Sequence, residues 1–504
     1  MKTIKLSEYI KALKNEGLLI SYNISEITLD KTIECLTYDT REITQNALFI
    51  CKGALFKKEY LDYALDNGAV CYVSEKEYPN NSGILVSDIR KAMPILAQIF
   101  FDNAPAKLVS VGITGTKGKS TVTYYLRTIL DLYMQSKKKP PCAIISSIET
   151  FDGVINRESH ITTPEAVEFY RHCNNAYNSG ITHLISEISS QALKYNRVSG
   201  VNLDIAVFTN IGTDHISPIE HVDFEDYFSS KLKIFDNCKN ACINSDSDFA
   251  ERITEEAKNK CSFVTYGTKE NDTIYCKNIQ KHGDGFSFDV KTPEFEETFN
   301  ISMPGIFNVS NALAAIAVCH ILGIDKGYIK KGLSTAKVSG RMQVYNSADK
   351  KISVIVDFAH NKMSFNALYN TAKLEYPGYN IVSIFGCPGS KAQQRRVELA
   401  EEADEHSDYI IVTEDDPADE PFESISKEIV SNIKKCPYTV IENRGQALYE
   451  AIFNYKADKK IILFMGKGEE NTMKRSTGYE VCQSDVEATT ELIKKYDNLL
   501  IAAN

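Results

Sequence analysis

Residues 112–121, Gly-Ile-Thr-Gly-Thr-Lys-Gly-Lys-Ser-Thr, have the composition of a loop that cradles phosphates. Gly112, Gly115 and Gly118 would let the backbone come close to a polyphosphate. Lys119 would set its ammonium against the outer phosphates, and the Ser120 hydroxyl would ligate magnesium. An apolar run, Leu108-Val109-Ser110-Val111, precedes the loop, and Val122, Tyr125, Leu126, Ile129 and Leu130 follow at helical spacing. Strand, glycine-rich turn and helix are the context in which such a loop binds a nucleotide. The general pattern G-x-x-x-x-G-K-[ST] asks for glycine at 113 and meets Ile113. The competing reading, an ordinary turn with a surface lysine, loses to the flanking strand and helix.

These groups need strands to position them. Apolar runs at Cys142–Ser146, His183–Ser186 and Ile205–Thr209 alternate with helical stretches, which implies a mostly parallel sheet with right-handed crossovers. Ligands of such sheets gather at the carboxyl ends of the strands. Glu187, Ile188, Ser189 and Ser190 follow one strand; Thr209, Asn210, Asp214 and His215 follow another. Singly, Glu187 or His215 reads as a satisfied loop residue. Together with Ser120 they suit a magnesium site for ATP. Residues 274–305 alternate apolar and polar around Gly283-Asp284-Gly285, a pattern of antiparallel hairpins. Asn308 and Asn311 then open an alanine-rich helix, for which they read as caps.

Three units are expected from 504 residues at ~150 per domain. Residues 1–104 read as a small α/β domain, with strand, loop, helix, a Gly68 cap and strand between Ala47 and Tyr78. The polar Tyr38-Asp39-Thr40-Arg41 stretch is foremost a turn there, with a hold on substrate as the second reading. Asn103-Ala104-Pro105 looks like a linker into a nucleotide-binding domain, 105–335. Residues 336–504 carry five more short apolar runs, ISVIVDFAH, NIVSIFGCPGS, YIIVTEDD, YTVIE and KIILFMGKG, the mark of a second doubly wound α/β domain. Their ends bear Asp357 and His360, Lys391 with Arg395 and Arg396, Asp415 with Asp416, and Gly466-Lys467-Gly468-Glu469-Glu470. Charge at the strand ends suggests a second ligand facing the nucleotide.

With 43% hydrophobic and 25% charged residues the composition is globular, and a net charge of -10 argues against a nucleic-acid partner. Thirteen cysteines occur without a C-x-x-C pair, and the nearest two, Cys238 and Cys242, lack matching partners for zinc. That usage suits a reducing cytoplasm. The N-terminal MKTIKLSEYIKALKNEG is amphipathic and charged, unlike a signal peptide, and no apolar run reaches the roughly 18 residues of a membrane span. A cytoplasmic monomer acting on small molecules is expected.

Across all three units, and in the same order, the chain resembles the Mur ligases, the ATP-dependent amide-bond enzymes of peptidoglycan precursor synthesis. The family's ATP loop reads G-T-x-G-K-[ST], which accounts for Ile113. The resemblance is nearest to the branch that adds a diamino acid to UDP-N-acetylmuramoyl-L-alanyl-D-glutamate. It rests on Asp39-Thr40-Arg41, Thr162-Thr163-Pro164-Glu165, Glu187 through Leu193 with Arg197, Thr209-Asn210 with Asp214-His215, and Tyr227 through Phe235. It continues through Gly340-Arg341-Met342 and Asp357-Phe358-Ala359-His360. A central P-loop ATPase domain and a Rossmann-like C-terminal domain binding the incoming amino acid are thereby implied.

Several roles are implied too. ATP would lie on Gly115, Thr116, Lys117, Gly118, Lys119, Ser120 and Thr121, with Asn308 and Asn311 at the adenine. Arg341, Asp357 and His360 would reach the nucleotide from the closing domain. Thr40, Thr162, Thr163, Ser189 and Arg197 would hold the UDP-linked substrate. Two magnesium ions would use Ser120, Glu187, His215 and Lys231, the last as N6-carboxylysine, since an anion rather than an ammonium belongs beside divalent cations. Lys119, Lys231, His215 and Glu187 form the implied catalytic set. The reaction would pass through an acyl phosphate.

The incoming amine is implied by departures from the pattern. Ligases for diaminopimelate carry Asp-Asn-Pro-Arg; here Asp415-Asp416-Pro417-Ala418 lacks the arginine and adds a carboxylate. That suits the ε-ammonium of L-lysine, with Asp415, Asp416 and Glu470 as its partners. Lys391 stands where the family's arginine for the α-carboxylate is usual, with Arg395 or Arg396 near enough to share the task. Ornithine and meso-diaminopimelate are the alternatives. Folylpolyglutamate synthases share the loop and lysine but lack the N-terminal unit. A small-molecule kinase, or a catalytically degraded nucleotide-binding duplicate, is the rival of another class.

Overall fold

The computed structural model describes residues 4–53, 56–159, 161–217 and 220–503. Met1–Thr3 of the expected amphipathic helix and Ala54–Leu55 of the expected loop lie outside them.

The first helix, Leu6–Asn15, buries Leu6, Tyr9, Ile10 and Leu13, one face at helical spacing. It covers a five-stranded sheet ordered 19–23, 83–86, 69–74, 47–50, 35–37. Only Leu19–Asn23 runs antiparallel to its neighbour. The expected strand, helix and strand lie at Ala47–Ile50, Lys58–Asp66 and Ala69–Ser74.

The expected linker is packed rather than loose. Ala104–Lys107 forms a short 3-10 turn, and Ala104 is fully buried in the cluster that contains Phe169 and Tyr170. The same cluster joins Leu36 and Ile84 of the first sheet to Ala206 and Ile243 of the second, so apolar burial ties the two together.

The second sheet has eleven strands. Its parallel centre places Val109–Thr114 between His183–Glu187 and Leu203–Phe208. Ala143–Ile145 lies beyond the former, and Cys238–Asn244 and Ser262–Gly267 beyond the latter. The hairpins expected after residue 274 form one edge, 285–291 and 296–301 antiparallel to their neighbours. A hairpin at 149–158 forms the other edge, and its short polar strands carried no apolar run to announce them. Phe307–Ile321 is buried on almost every side because alanine lets it nest against Lys119–Ser136 and the sheet.

The third sheet contains all five expected strands, plus the antiparallel edge Gln343–Asn346. Its order is 343–346, 352–357, 460–465, 380–385, 409–412, 438–440, parallel except at that edge. Strand ends of the second and third sheets face each other across one cleft, where Gly212 approaches Met363.

Candidate active site

The strand Val109–Thr114 runs into the helix Lys119–Ser136 through a loop with Gly115 at φ 144° and Gly118 at φ 85°. Both glycines are required twice over. A Cβ on Gly115 would stand 1.9 Å from Thr209 Oγ1, and one on Gly118 2.3 Å from Asn311 Oδ1. Neighbouring strand ends fasten the loop: Asn210 Oδ1 accepts from Lys117 N at 2.8 Å, and Thr209 Oγ1 donates to Lys117 O at 2.6 Å. Thr116 Oγ1 accepts from Gly212 N and pairs with Tyr227 OH.

Two buried ammonium groups meet on a single carbonyl. Lys119 Nζ and Lys231 Nζ each lie 2.9 Å from Gly115 O. Lys231 is 2% exposed, and burial, then the neighbouring Lys119, hold it well below the usual lysine range. Burial also lowers Lys119, against the opposing pull of Glu187 and Asp214, and brings Lys117 down to about 7.

Glu187, at the end of its strand, is 1% exposed. Its Oε1 accepts from Ser147 N at 3.2 Å and Ser147 Oγ at 3.4 Å, and Ser147 Oγ reaches Ser120 Oγ at 3.1 Å. Oε2 accepts no hydrogen bond among the described residues. Ser120 and Glu187 are thus brought together. His215 makes no direct contact with them: its Nδ1 pairs with Glu220 Oε1 at 2.9 Å, its backbone takes φ 56°, and the Tyr227 ring lies against both it and Lys231. Among the described residues no three His, Cys, Asp or Glu side chains converge into a metal cage. The partly uncommitted Glu187, beside Ser120, and the Lys231 amine, held well below the usual lysine range, fit a magnesium site.

The residues expected to hold the UDP-linked substrate gather at the same strand end. Thr163 Oγ1 donates to Glu187 O at 2.8 Å and accepts from Ser189 N at 3.0 Å; Arg197 Nη1 donates to Thr163 O at 3.1 Å. Ser189 also caps the helix Ser190–Lys194. Thr162 precedes Thr163 in the same loop. Thr40 opens a 3-10 turn capped by Asp39, and this turn leans on the second sheet's unit through the bidentate Glu42–Arg171 pair.

Asn308 and Asn311 are buried, and neither caps the helix as expected. Asn308 Nδ2 donates to Pro304 O, Asn308 Oδ1 accepts from Asn311, and Asn311 Oδ1 presses on Gly118. From the third sheet, Arg341 lies over Phe358, with Asp357, Glu187 and Glu470 offsetting the burial that lowers it. His360 Nδ1 pairs with Phe358 O, and burial beside Lys117 keeps the ring well below the ordinary histidine range.

The acidic set is already partly occupied. Lys467, 3% exposed, places Nζ 2.9 Å from Asp416 Oδ1 and 2.6 Å from Glu470 Oε2. Asp415 is 8% exposed, and no hydrogen bond reaches its carboxylate among the described residues. Burial raises it despite Lys467 and Arg444. Lys391 is exposed at the rim. Both arginines considered beside it have protein partners of their own. Arg395 Nη2 donates to Asp214 at 2.7 Å, and Arg396, 1% exposed, is held by Glu420, Glu428 and Pro388 O.

Sequence reasoning missed Ser147, Asn361, whose Nδ2 donates to Asp214, and the pairing role of Lys467. It named Tyr227 only as the start of a motif, without its contact to Thr116. Ser147 follows a strand and was open to the carboxyl-end rule; the others depended on docking.

Fold, glycine loop and facing strand ends define a three-unit P-loop nucleotide-binding architecture. Residues 113–319 match the model of the Mur ligase middle domain, and residues 340–468 that of the Mur ligase, glutamate ligase domain. The chain belongs to the Mur ligase family, ATP-dependent ligases of peptidoglycan precursor synthesis. It is 35% identical over 486 residues to the UDP-N-acetylmuramoyl-L-alanyl-D-glutamate--L-lysine ligase of Enterococcus faecalis, covering 93% of this chain and 94% of that one. The same identity holds over 506 residues with the ligase of that name from Streptococcus agalactiae serotype Ia, covering 98% and 100%. A solved UDP-N-acetylmuramoyl-L-alanyl-D-glutamate--2,6-diaminopimelate ligase shares the fold at TM-score 0.65, 22% identical, covering 98% of this chain and 99% of that one. MurF of Thermotoga maritima in complex with ADP matches at TM-score 0.59, 17% identical, covering 92% and 97%. ATP binding fits this family and this loop.

Proposed function

We propose that the chain ligates L-lysine to the D-glutamate of UDP-N-acetylmuramoyl-L-alanyl-D-glutamate, as a cytoplasmic monomer with functional units at 1–104, 105–335 and 336–504. One observation carries the reading: Arg395 of the third unit donates to Asp214 beside the nucleotide loop at 2.7 Å, so the strand ends of both units share one cleft, where the charges of Glu187 and Glu470 both act on Arg341.

The D-glutamyl carboxylate attacks the γ-phosphorus of ATP, the bond to the bridging oxygen breaks, and ADP leaves. Thr163, Ser189 and Arg197 orient the carboxylate. Lys117 and Lys119, together with loop amides 115–121, neutralise the phosphate oxygens, which is most of what phosphoryl transfer asks of a protein. Asn308 and Asn311 support the adenine side, and Arg341, Asp357 and His360 close over the nucleotide. Two magnesium ions, when bound, would supply further charge neutralisation. Ser120, Glu187, His215 and a carbamylated Lys231 would hold them.

Asp415 accepts the ε-ammonium, while Asp416 and Glu470 act through their shared hold on Lys467. Lys391 faces the α-carboxylate as a point charge, without the bidentate grip of an arginine. The deprotonated α-amine attacks the acyl phosphate carbon, the tetrahedral intermediate collapses, and phosphate leaves. Closure of the third unit excludes the water that would hydrolyse the acyl phosphate.

Phosphate release with ATP, magnesium and the nucleotide dipeptide tests this, run with L-lysine, L-ornithine, meso-diaminopimelate or no amine. Turnover with lysine alone, and a nucleotide tripeptide by mass, is expected. Turnover only with diaminopimelate would overturn the acidic-pocket argument, and no amine-dependent turnover, with ADP formed whether or not amine is present, would favour a kinase.

A further inference from the structure

Charge is unbalanced at the seam between the first and second units. Lys52, just past the carboxyl end of the strand Ala47–Ile50, reaches across to Glu165, Nζ to Oε2 2.7 Å, with side chains 18% and 20% exposed. It also lies 5.1 Å from the Tyr38 ring centroid. The other oxygen of Glu165 is 2.9 Å from Arg197 Nε. That N–H is not aimed at it, however, and remains a buried donor without a hydrogen bond. Arg90, from the helix Ile89–Phe100 of the first unit, stacks 3.8 Å over the Tyr195 ring at the mouth of the seam. Its charge, like that of Arg197, disfavours the Lys52 ammonium, which burial already lowers.

The other charges nearby are settled. Arg171 takes both oxygens of Glu42, and Arg157 pairs with Glu168, whose second oxygen accepts from Tyr38. Three cations, Lys52, Arg90 and Arg197, are left with one carboxylate. Arg90 is exposed, but Lys52 and Arg197 are half-buried with one carboxylate between them, and the remaining positive charge is costly unless an anion joins it. Glu165, bridging Lys52 and Arg197, already sits as an oxyanion would.

We propose that Lys52 and Arg90 complete, with Arg197, a cradle for an anionic group of the UDP-linked dipeptide; this rests on the ligase reading above. Two groups of that substrate have the required chemistry: the diphosphate, and the D-glutamyl carboxylate that is not activated. Either would make the substrate a clamp between the first two units, since Lys52 and Arg90 belong to one and Arg197 to the other.

The test uses the full-length enzyme and the variants Lys52→Met, Lys52→Arg and Arg90→Met. Lys52→Met should raise KM for the nucleotide dipeptide roughly ten- to hundredfold, as expected for a lost charged hydrogen bond. The kcat at saturation and the KM for ATP should stay within about threefold, Lys52→Arg should recover most of the loss, and Arg90→Met should act in the same direction. Competition by UDP reads the diphosphate: if that is the bound group, Lys52→Met weakens UDP inhibition by a similar factor. A dipeptide analogue with the unactivated carboxylate converted to an amide reads the other arm. If that carboxylate is bound, wild type discriminates against the analogue and Lys52→Met does not. Unchanged KM for the nucleotide dipeptide, or an equal loss towards ATP, would overturn the cradle. Calorimetric titration of the nucleotide dipeptide into wild type and Lys52→Met decides the point without turnover, so an inactive wild type would count against the ligase reading alone.

Discussion

Arg395 Nη2 and Asp214 Oδ1, 181 residues apart, form a 2.7 Å ion pair in which the side chains are 13% and 4% exposed. Asp214 follows a strand of the second sheet and Arg395 opens a helix of the third, so the pair fastens the closing unit to the nucleotide loop. Asn361 donates to the other oxygen of Asp214, and burial is outweighed by Arg395, His215 and Lys117, which hold that carboxyl well below its ordinary range. Removing one partner of a buried pair strands the other charge, at ~3–5 kcal/mol. Arg395→Met should therefore favour the open arrangement. Small-angle scattering should show a larger radius of gyration than wild type, with kcat down at least tenfold. An unchanged radius would separate the pair from closure.

Burial and the neighbouring Lys119 hold Lys231 well below the usual lysine range, which favours the neutral amine, the form that adds carbon dioxide. Lys231→Ala should abolish phosphate release while the protein stays folded. Protein exchanged into ¹³C-bicarbonate should give a carbamate carbon resonance that this variant lacks. Wild type in carbon dioxide-depleted buffer should lose activity and recover it with bicarbonate.

Asp415 offers a buried carboxylate whose raised position makes amine binding sensitive to pH. Only its ionised form attracts an ammonium, so KM for lysine should climb as pH falls through that raised value. Asp415→Asn should raise KM for lysine ten- to hundredfold, from a charged contact of ~1.5–3 kcal/mol, and flatten the dependence. KM for ATP should follow neither change. Lysine KM profiles against pH for the two proteins are the measurement.

Arg396, despite its place beside Lys391, is a structural group: 1% exposed and bound to Glu420, Glu428 and Pro388 O. Arg396→Ala should lower stability by ~3–5 kcal/mol, read as a shifted denaturant midpoint. At temperatures where the variant is folded, its KM for lysine should match wild type. A selective rise in that KM would return Arg396 to the amine site.

The features legible in the amino-acid sequence by itself are those that local chemistry decides. Glycines at 115 and 118 announce positive φ and close approach, and short apolar runs announce strands whether or not their partners are known. Motif order carried the family, and with it the candidate site residues. Tertiary structure alone decided which charges meet. Lys231 reaches Gly115 across 116 residues, Arg395 pairs with Asp214, and Lys467 entered the acidic set expected to await a substrate. A strand or turn is specified by neighbours a few residues away, whereas an ion pair depends on how whole sheets dock, which no short stretch of chain encodes.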